Sequence, residues 1–131
     1  MKIIISIIFM FLSAKSFADL EGKALTCKWE GSITGYTFAR NYKYRQYYVG
    51  QHNDTFRVEY SDLDNYSMNP DNINLYMGWK INRKTLRRVN RLGHDKGQCE
   101  LADYETLSNR MQEHKNELQK KYNKKLERNK I

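Results

Sequence analysis

The chain has 131 residues, with 23 Lys or Arg against 15 Asp or Glu and a formal net charge of +8 at pH 7. This length suits one small domain and leaves little room for a second. The sequence has no spacing of His, Cys and acidic residues that is typical of a metal site, a nucleophile motif or a cofactor loop, so it predicts no catalytic residues, no metal and no cofactor.

Residues 1–18 have the pattern of a secretory signal peptide, which is removed on export. Lys2 precedes a mostly apolar run at positions 3–12, and a Ser-Phe-Ala sequence at 16–18 precedes a cleavage site before Asp19. An uncleaved membrane anchor is the alternative, but a helix of that apolar run spans only about half of a bilayer core. The sequence therefore predicts a secreted or periplasmic protein without a transmembrane segment in its mature part.

Residues 19–102 are predicted to form an antiparallel β domain. Apolar and polar residues alternate between positions 23 and 101, and turn residues recur roughly every eight to twelve positions, which is typical of short strands. About seven strands, arranged as a barrel or a sandwich, account for this pattern. Segment 61–72 is the longest predicted loop, because it holds the only Pro of the chain and several Asp and Asn residues.

The clearest strand is predicted at 73–81. Five apolar residues alternate there with other residue types: Ile73, Leu75, Met77, Trp79 and Ile81. Positions 82–84 are predicted to be a tight turn, which leads into a return strand at 85–89.

Tyrosines are concentrated in the predicted strand 42–49. Tyr42, Tyr44 and Tyr48 are predicted to share one face of this strand and to fill the rim of the β domain. The alternative is that these rings form a platform on which bases or sugars stack.

The two cysteines, Cys27 and Cys99, lie in the first and the last predicted strands. In an oxidising compartment they can form one intramolecular disulfide, and no CxxC pair or neighbouring His favours a metal or catalytic role. Closing a loop of roughly 70 residues stabilises a fold by about 4 kcal/mol in the chain-entropy view. The sequence therefore predicts a disulfide that ties the two ends of the β domain together.

Residues 103–131 are predicted to form an amphipathic, Lys-rich helix and tail. A stripe of mostly apolar side chains recurs at spacings of three and four: Tyr104, Leu107, Met111, His114, Leu118 and Tyr122. Acidic residues stand in the first turn and Lys and Arg crowd the last ones, which is the order that the helix dipole favours. The helix is expected to pack on the open end of the β domain; pairing with another helix and contact with a lipid surface are the alternatives.

Several of these features together resemble a loose group of small, uncharacterised, exported bacterial proteins from AT-rich genomes. They are the leader, the early Cys27, a W-x-I-N-R-K-T pattern within 78–86, Cys99 and the Lys-rich end. The resemblance covers most of the mature chain and implies an architecture and a compartment, but no functional residues. A weaker similarity to the periplasmic β-barrels that inhibit C-type lysozyme rests on the placement of the two cysteines; the Ser-Gly-rich loop motif of those inhibitors is absent.

The densest positive charge lies around the predicted hairpin, where no acidic residue occurs between positions 80 and 91. Its cations are Lys80, Arg83, Lys84, Arg87, Arg88 and Arg91. They are candidates for binding the phosphate or carboxylate groups of an envelope component or an acidic partner protein, while export disfavours nucleic acid. Strand alternation places Arg88 on the face opposite Arg87 and Arg91, so the six cannot form one patch. The alternative is that these charges keep an edge strand soluble and unpaired.

The sequence thus favours a non-enzymatic binding module of the cell envelope, which contacts an anionic ligand or a partner protein through the hairpin cations. The alternative is a lysozyme-inhibitor-like protein that binds a target enzyme through a loop such as 61–72. A small hydrolase is a third hypothesis, and it requires a cleft with two carboxylates about 5–10 Å apart.

Overall fold

The structure is a computed structural model, which describes residues 20–129. The signal peptide predicted at 1–18 lies outside the described residues. The described part consists of ten short antiparallel strands and one α-helix at the C-terminal end, which confirms the predicted fold class. The strands are β1 (Ala24–Trp29), β2 (Ser32–Ala39), β3 (Lys43–His52), β4 (Thr55–Tyr60), β5 (Asp64–Asn65), β6 (Ser67–Met68), β7 (Asn72–Asn74), β8 (Lys80–Asn82), β9 (Arg87–Val89) and β10 (Asp95–Ala102), and the helix is α1 (Tyr104–Arg128).

The strands form one curled sheet, a half-barrel, in the order β4-β3-β2-β1-β10-β9-β8-β7-β6. The short strand β5 pairs with the start of β3, while β6 pairs with β7, and only Tyr66 separates β5 from β6. The segment Asp64–Met68 therefore connects the two sides of the half-barrel. Strand β1 lies between β2 and β10, so the first and last strands of the sheet are neighbours.

Cys27 and Cys99 stand directly opposite each other in β1 and β10, and they form the predicted disulfide. Both are buried in a hydrophobic core on the inner face of the sheet. Its other buried members are Leu25, Tyr36, Phe38, Tyr44, Tyr66, Ile73, Leu75 and Ile81. The disulfide thus joins the first strand to the last within the core that both strands help to build.

The helix packs on the outer face of the sheet, and the expectation that it covers the open end of the β domain is wrong. Leu107 and Met111 are buried against Ala24 of β1, in a second core that also contains residues of β2, β3 and β4. Strand β1 is therefore covered on both faces. Arg110 reinforces this contact, because its Nη1 donates to the hydroxyl of Thr26 at 2.6 Å.

The predicted helical stripe is largely confirmed, and the helix begins where its sequence signals place it. Leu107, Met111 and His114 are buried, whereas Tyr104 at the start of the stripe is 61% exposed. The Asp103 carboxylate caps the helix by accepting the N–H of Thr106 at 2.7 Å. Within residues 20–129, no helix is both long and apolar enough to cross a membrane.

The single strand predicted at 73–81 is instead a tight hairpin. Strands β7 and β8 pair with each other, with Ile73 opposite Ile81, and a tight turn at Tyr76–Gly78 reverses the chain between them. Met77 and Gly78 adopt positive φ angles of 61° and 80°. Alternation of apolar residues continues through the turn because both arms send side chains inward, so sequence period alone does not reveal the reversal.

Segment 61–72, predicted to be the longest loop, also contributes to the sheet. It holds the short strands β5 and β6, and it continues the pairing of β4 along β3. The N–H of Ser61 donates to the carbonyl of Gln46, and the N–H of Tyr66 donates to that of Tyr42, both at 2.9 Å. Asp and Asn residues usually favour loops, but here β3 offers backbone partners that override this tendency.

Candidate ligand-binding cavity

The hairpin cations predicted as a binding surface are distributed over both faces of the sheet. Four of them are exposed: Lys80, Lys84, Arg87 and Arg91. Arg87 forms an ion pair with Asp95, and Arg83 donates to the backbone carbonyl of Asn69 at 2.8 Å. Arg88, by contrast, points into the half-barrel and is only 5% exposed. The structure therefore separates Arg88 from the other five, as strand alternation predicts.

The interior of the half-barrel contains a cavity of about 290 Å³ beside the hydrophobic core. This volume lies at the lower end of the range for small-molecule sites, roughly 300–1,000 Å³. Aromatic, amide and charged side chains line it together: Tyr36, Tyr44, Gln46, Asp64, Trp79 and Arg88. A cavity of this kind, with apolar walls and a few polar groups, is typical of a site for a small ligand.

Strand register explains why charged side chains reach the inside of this sheet. Tyr44 of β3 stands opposite Asp64 of β5, and Ile81 of β8 stands opposite Arg88 of β9. Directly paired residues share one face of an antiparallel sheet. Because Tyr44 and Ile81 are buried in the inner core, Asp64 and Arg88 also point inward.

Arg88 is held rigidly at one side of the cavity. Its Nη1 donates to the Tyr36 hydroxyl at 2.9 Å, and its Nε and Nη2 donate to the Lys96 carbonyl at 3.0 and 2.8 Å. The guanidinium carbon also lies 5.4 Å from the centre of the Trp79 ring. No ion pair within residues 20–129 includes Arg88, so its charge is buried without a carboxylate partner.

Two tyrosine hydroxyls that border the cavity have protons free to donate to a ligand. The Tyr36 hydroxyl accepts from Arg88, and the Tyr44 hydroxyl accepts the N–H of Tyr76 at 3.0 Å. Among the described residues neither hydroxyl has an acceptor for its own proton. Burial raises the pKa of Tyr36 and that of Tyr44, although the Arg88 guanidinium lowers the first and the Tyr76 N–H lowers the second in part. Both phenols therefore remain protonated donors at neutral pH.

A buried guanidinium and two phenol O–H groups thus line one cavity, and such a donor set suits a carboxylate or a phosphate. Comparison of the chain with protein-family models, curated proteins and solved structures finds no match. The donor set is consequently the observation that bears most directly on function. Within residues 20–129, no group of three or more His, Cys, Asp and Glu residues could hold a metal ion.

The predicted tyrosine face of 42–49 is only partly present. Tyr44 is buried beside the cavity, but Tyr42 and Tyr48 are 45% and 41% exposed. Tyr42 precedes β3 and has a positive φ of 55°, so it does not follow the strand alternation. Tyr44 and Tyr48, four residues apart in β3, nevertheless share one face, and the Tyr42 ring lies 5.4 Å from that of the buried Tyr66.

Three important residues of the cavity were missed by sequence reasoning. Tyr36 lies within the predicted β domain, Asp64 within the predicted loop 61–72 and Trp79 within the predicted strand 73–81, and none of these patterns predicts a cavity. They meet because β2, β3, β5 and the chain beside β8 curl around the same space. The one usable signal was the unusual pair of adjacent arginines in a strand, since alternation directs one of them inward.

Proposed function

We propose that this protein is a non-enzymatic binding module that holds a small anionic ligand in the cavity of the half-barrel. The observation that carries the proposal is Arg88, whose charge is buried at the cavity without a carboxylate partner. Burial of an unpaired charge is costly, and an anion in the cavity offsets this cost through charge-assisted hydrogen bonds. The Tyr36 and Tyr44 hydroxyls supply two further donors to the same ligand.

The exposed cations around the hairpin support this proposal by a longer-range effect. Arg91 packs against the turn that borders the cavity, since a Cβ on Gly78 would lie 2.9 Å from the Arg91 Cγ. Positive charge at the mouth of a site raises the local concentration of anions and speeds their association. In this proposal Arg91 attracts the ligand beside this turn, Lys80 and Lys84 add to the positive field of the hairpin, and Arg88 binds the ligand.

Export to the periplasm or the cell exterior is part of the proposal. The leader pattern at 1–18 is typical of a secretory signal, and the Cys27–Cys99 disulfide suits an oxidising compartment. Mass spectrometry of the protein recovered from cells that express the full chain tests this. We expect a mass that begins at Asp19 and lacks the two thiol protons, and a full-length reduced chain would contradict export.

Ligand binding can be followed through Trp79, which lines the cavity. The other tryptophan, Trp29, lies outside it, with the Lys96 ammonium 5.5 Å from its ring centre, and Trp29→Phe leaves Trp79 as the single indole reporter. We expect para-methylbenzoate to change the fluorescence of this variant saturably. The uncharged para-methylbenzyl alcohol should bind at least about tenfold more weakly, because it makes no ionic hydrogen bond with Arg88.

Arg88→Met keeps the length of the side chain and removes its charge, and it should weaken para-methylbenzoate binding at least about tenfold. Arg87→Gln is the matched control, because it removes an exposed positive charge from the neighbouring position. Tyr36→Phe is a milder second variant, which retains Arg88 and removes one donor. Equal affinities of the Arg88→Met, Tyr36→Phe and Arg87→Gln proteins, with folding verified by circular dichroism, would refute the proposed function.

A further inference from the structure

The cavity carries a negative group as well as a positive one. Asp64 lines it and faces inward because it is paired with the buried Tyr44. Among the described residues no hydrogen bond or ion pair engages the Asp64 carboxylate. Asp64 and Arg88 do not form an ion pair with each other, so two opposite charges border one cavity separately.

Each of the two charges is associated with a different tyrosine of the inner core. Arg88 donates to the hydroxyl of Tyr36, and Asp64 is the strand partner of Tyr44. The ring centres of Tyr36 and Tyr44 are 6.1 Å apart. Arg88 and Asp64 therefore mark two parts of the cavity, each beside a different ring, with the Trp79 and Leu75 side chains on the wall.

From this arrangement we infer that the ligand is dipolar, with a carboxylate bound at Arg88 and an ammonium group bound at Asp64. This inference rests on the proposed function and adds the second charge of the ligand. A plain anion would leave the Asp64 carboxylate without a partner inside the occupied cavity, and like charges in a confined site repel. A ligand with an ammonium group compensates both protein charges at once.

The spacing also selects among dipolar molecules. An α-amino acid carries its ammonium and carboxylate groups on the same carbon atom, so it is poorly suited to two protein charges that lie beside different tyrosine rings. An ω-amino acid or a dipeptide has its charges several bonds apart, and it is of a size that suits about 290 Å³. We therefore assign the cavity to compounds of this charge-separated class.

The test compares two probes of the same shape on the Trp29→Phe protein. The dipolar probe is para-aminomethylbenzoate, and the anionic probe is para-methylbenzoate, which lacks only the amine. Trp79 fluorescence should report at least about tenfold tighter binding of the dipolar probe. Equal or weaker binding of the dipolar probe would overturn the inference.

Asp64→Asn should remove this preference while leaving the affinity for para-methylbenzoate equal or higher. Asp62→Asn is the matched control, because it deletes an exposed carboxylate two residues away and alters the net charge equally. A preference that persists in Asp64→Asn would overturn the inference and leave the proposed function intact. If Arg88→Met bound both probes as tightly as the protein with Arg88 does, or if neither probe bound at all, the proposed function itself would be overturned.

Discussion

Gly35 and Leu107 meet where the helix packs on strand β2. A Cβ added to Gly35 would lie 2.9 Å from Cδ1 of Leu107 and 3.0 Å from its Cγ. Real Cβ atoms are essentially never found so close to a neighbour, so either the leucine or the helix must move. Gly35 is therefore required by the docking of α1 and not by a turn.

We expect Gly35→Ala to lower the free energy of unfolding by about 1–3 kcal/mol through overpacking. Urea denaturation measures this difference. In a Leu107→Ala background the same substitution should cost much less, because the obstructing side chain is gone. Additive effects of the two substitutions would show that this contact does not limit the approach of the helix.

His114 is a buried titratable side chain on the same helix, with 6% of its surface exposed. Burial lowers its pKa below the ordinary value of 6.5, the Glu117 carboxylate raises it in part, and Lys121 lowers it further. The folded protein therefore binds a proton at His114 less readily than the unfolded chain does. This group leaves stability unchanged above the ordinary pKa and reduces it as the pH falls below that value.

We accordingly expect the free energy of unfolding to decrease as the pH falls below about 6.5. His114→Gln should flatten this decrease, whereas His94→Gln, at an exposed turn position, should leave it as it is. Denaturation curves at several pH values measure the slope. If the His114→Gln protein retained the full slope, the titration of His114 would not be its cause.

Strand β4 is an edge of the sheet, and the second half of α1 protects it. The N–H of Phe56 donates to Oε1 of Gln119 at 2.9 Å, and Nε2 of Gln119 donates to the Asp54 carbonyl at 2.8 Å. The Tyr122 hydroxyl adds a bond to the Asp54 carboxylate at 2.6 Å. An exposed strand edge invites pairing with other chains, so these side chains limit that risk.

Gln119→Ala should increase the hydrogen-exchange rate of the Phe56 amide roughly fivefold, which corresponds to about 1 kcal/mol for one hydrogen bond. Asn116→Ala is the control, because Asn116 is exposed on the same helix. Exchange followed by NMR resolves this amide. An unchanged rate in Gln119→Ala would mean that water replaces the side chain without loss.

Helices and strands with a clear hydrophobic period could be predicted from the sequence. Short strands and turns that depend on pairing with distant segments could not. The helical spacing from Leu107 to His114 and the alternation in β1 led to correct assignments. The hairpin between β7 and β8 was predicted as one strand, because its turn contains the apolar Met77 in place of the usual polar turn residues. Strands β5 and β6 are too short to leave a pattern, and they exist because β3 and β7 supply partners.

The cavity shows the same limit at the scale of the whole molecule. Alternation was sufficient to separate Arg88 from Arg87, since it depends on neighbouring positions alone. Strand register brings Tyr36, Asp64 and Arg88 together from strands that are far apart in the chain. This register cannot be read directly from a single sequence. The exposed cations of the hairpin were therefore easier to identify from the sequence as a candidate site than the buried Arg88 was.

The disulfide should make a large contribution to the stability of the molecule. It closes a loop with a sequence separation of 72 residues, for which the chain-entropy view gives about 4 kcal/mol. We expect reduction of Cys27–Cys99 to lower the free energy of unfolding by about this amount. Urea denaturation with and without reductant tests it, and coincident curves would show that the pairing of β1 with β10 is sufficient without the covalent bond.

The central position of β1 also determines when the polypeptide can acquire its native form. Ala24 pairs with Ala102 at opposite ends of the described β region, so this ladder joins residues that are synthesised far apart in time. Non-local pairing of this kind slows folding. A nascent chain still threaded through a ribosome or a translocation channel lacks the partner of its innermost strand, and the native sheet is completed only after nearly all of the polypeptide has emerged.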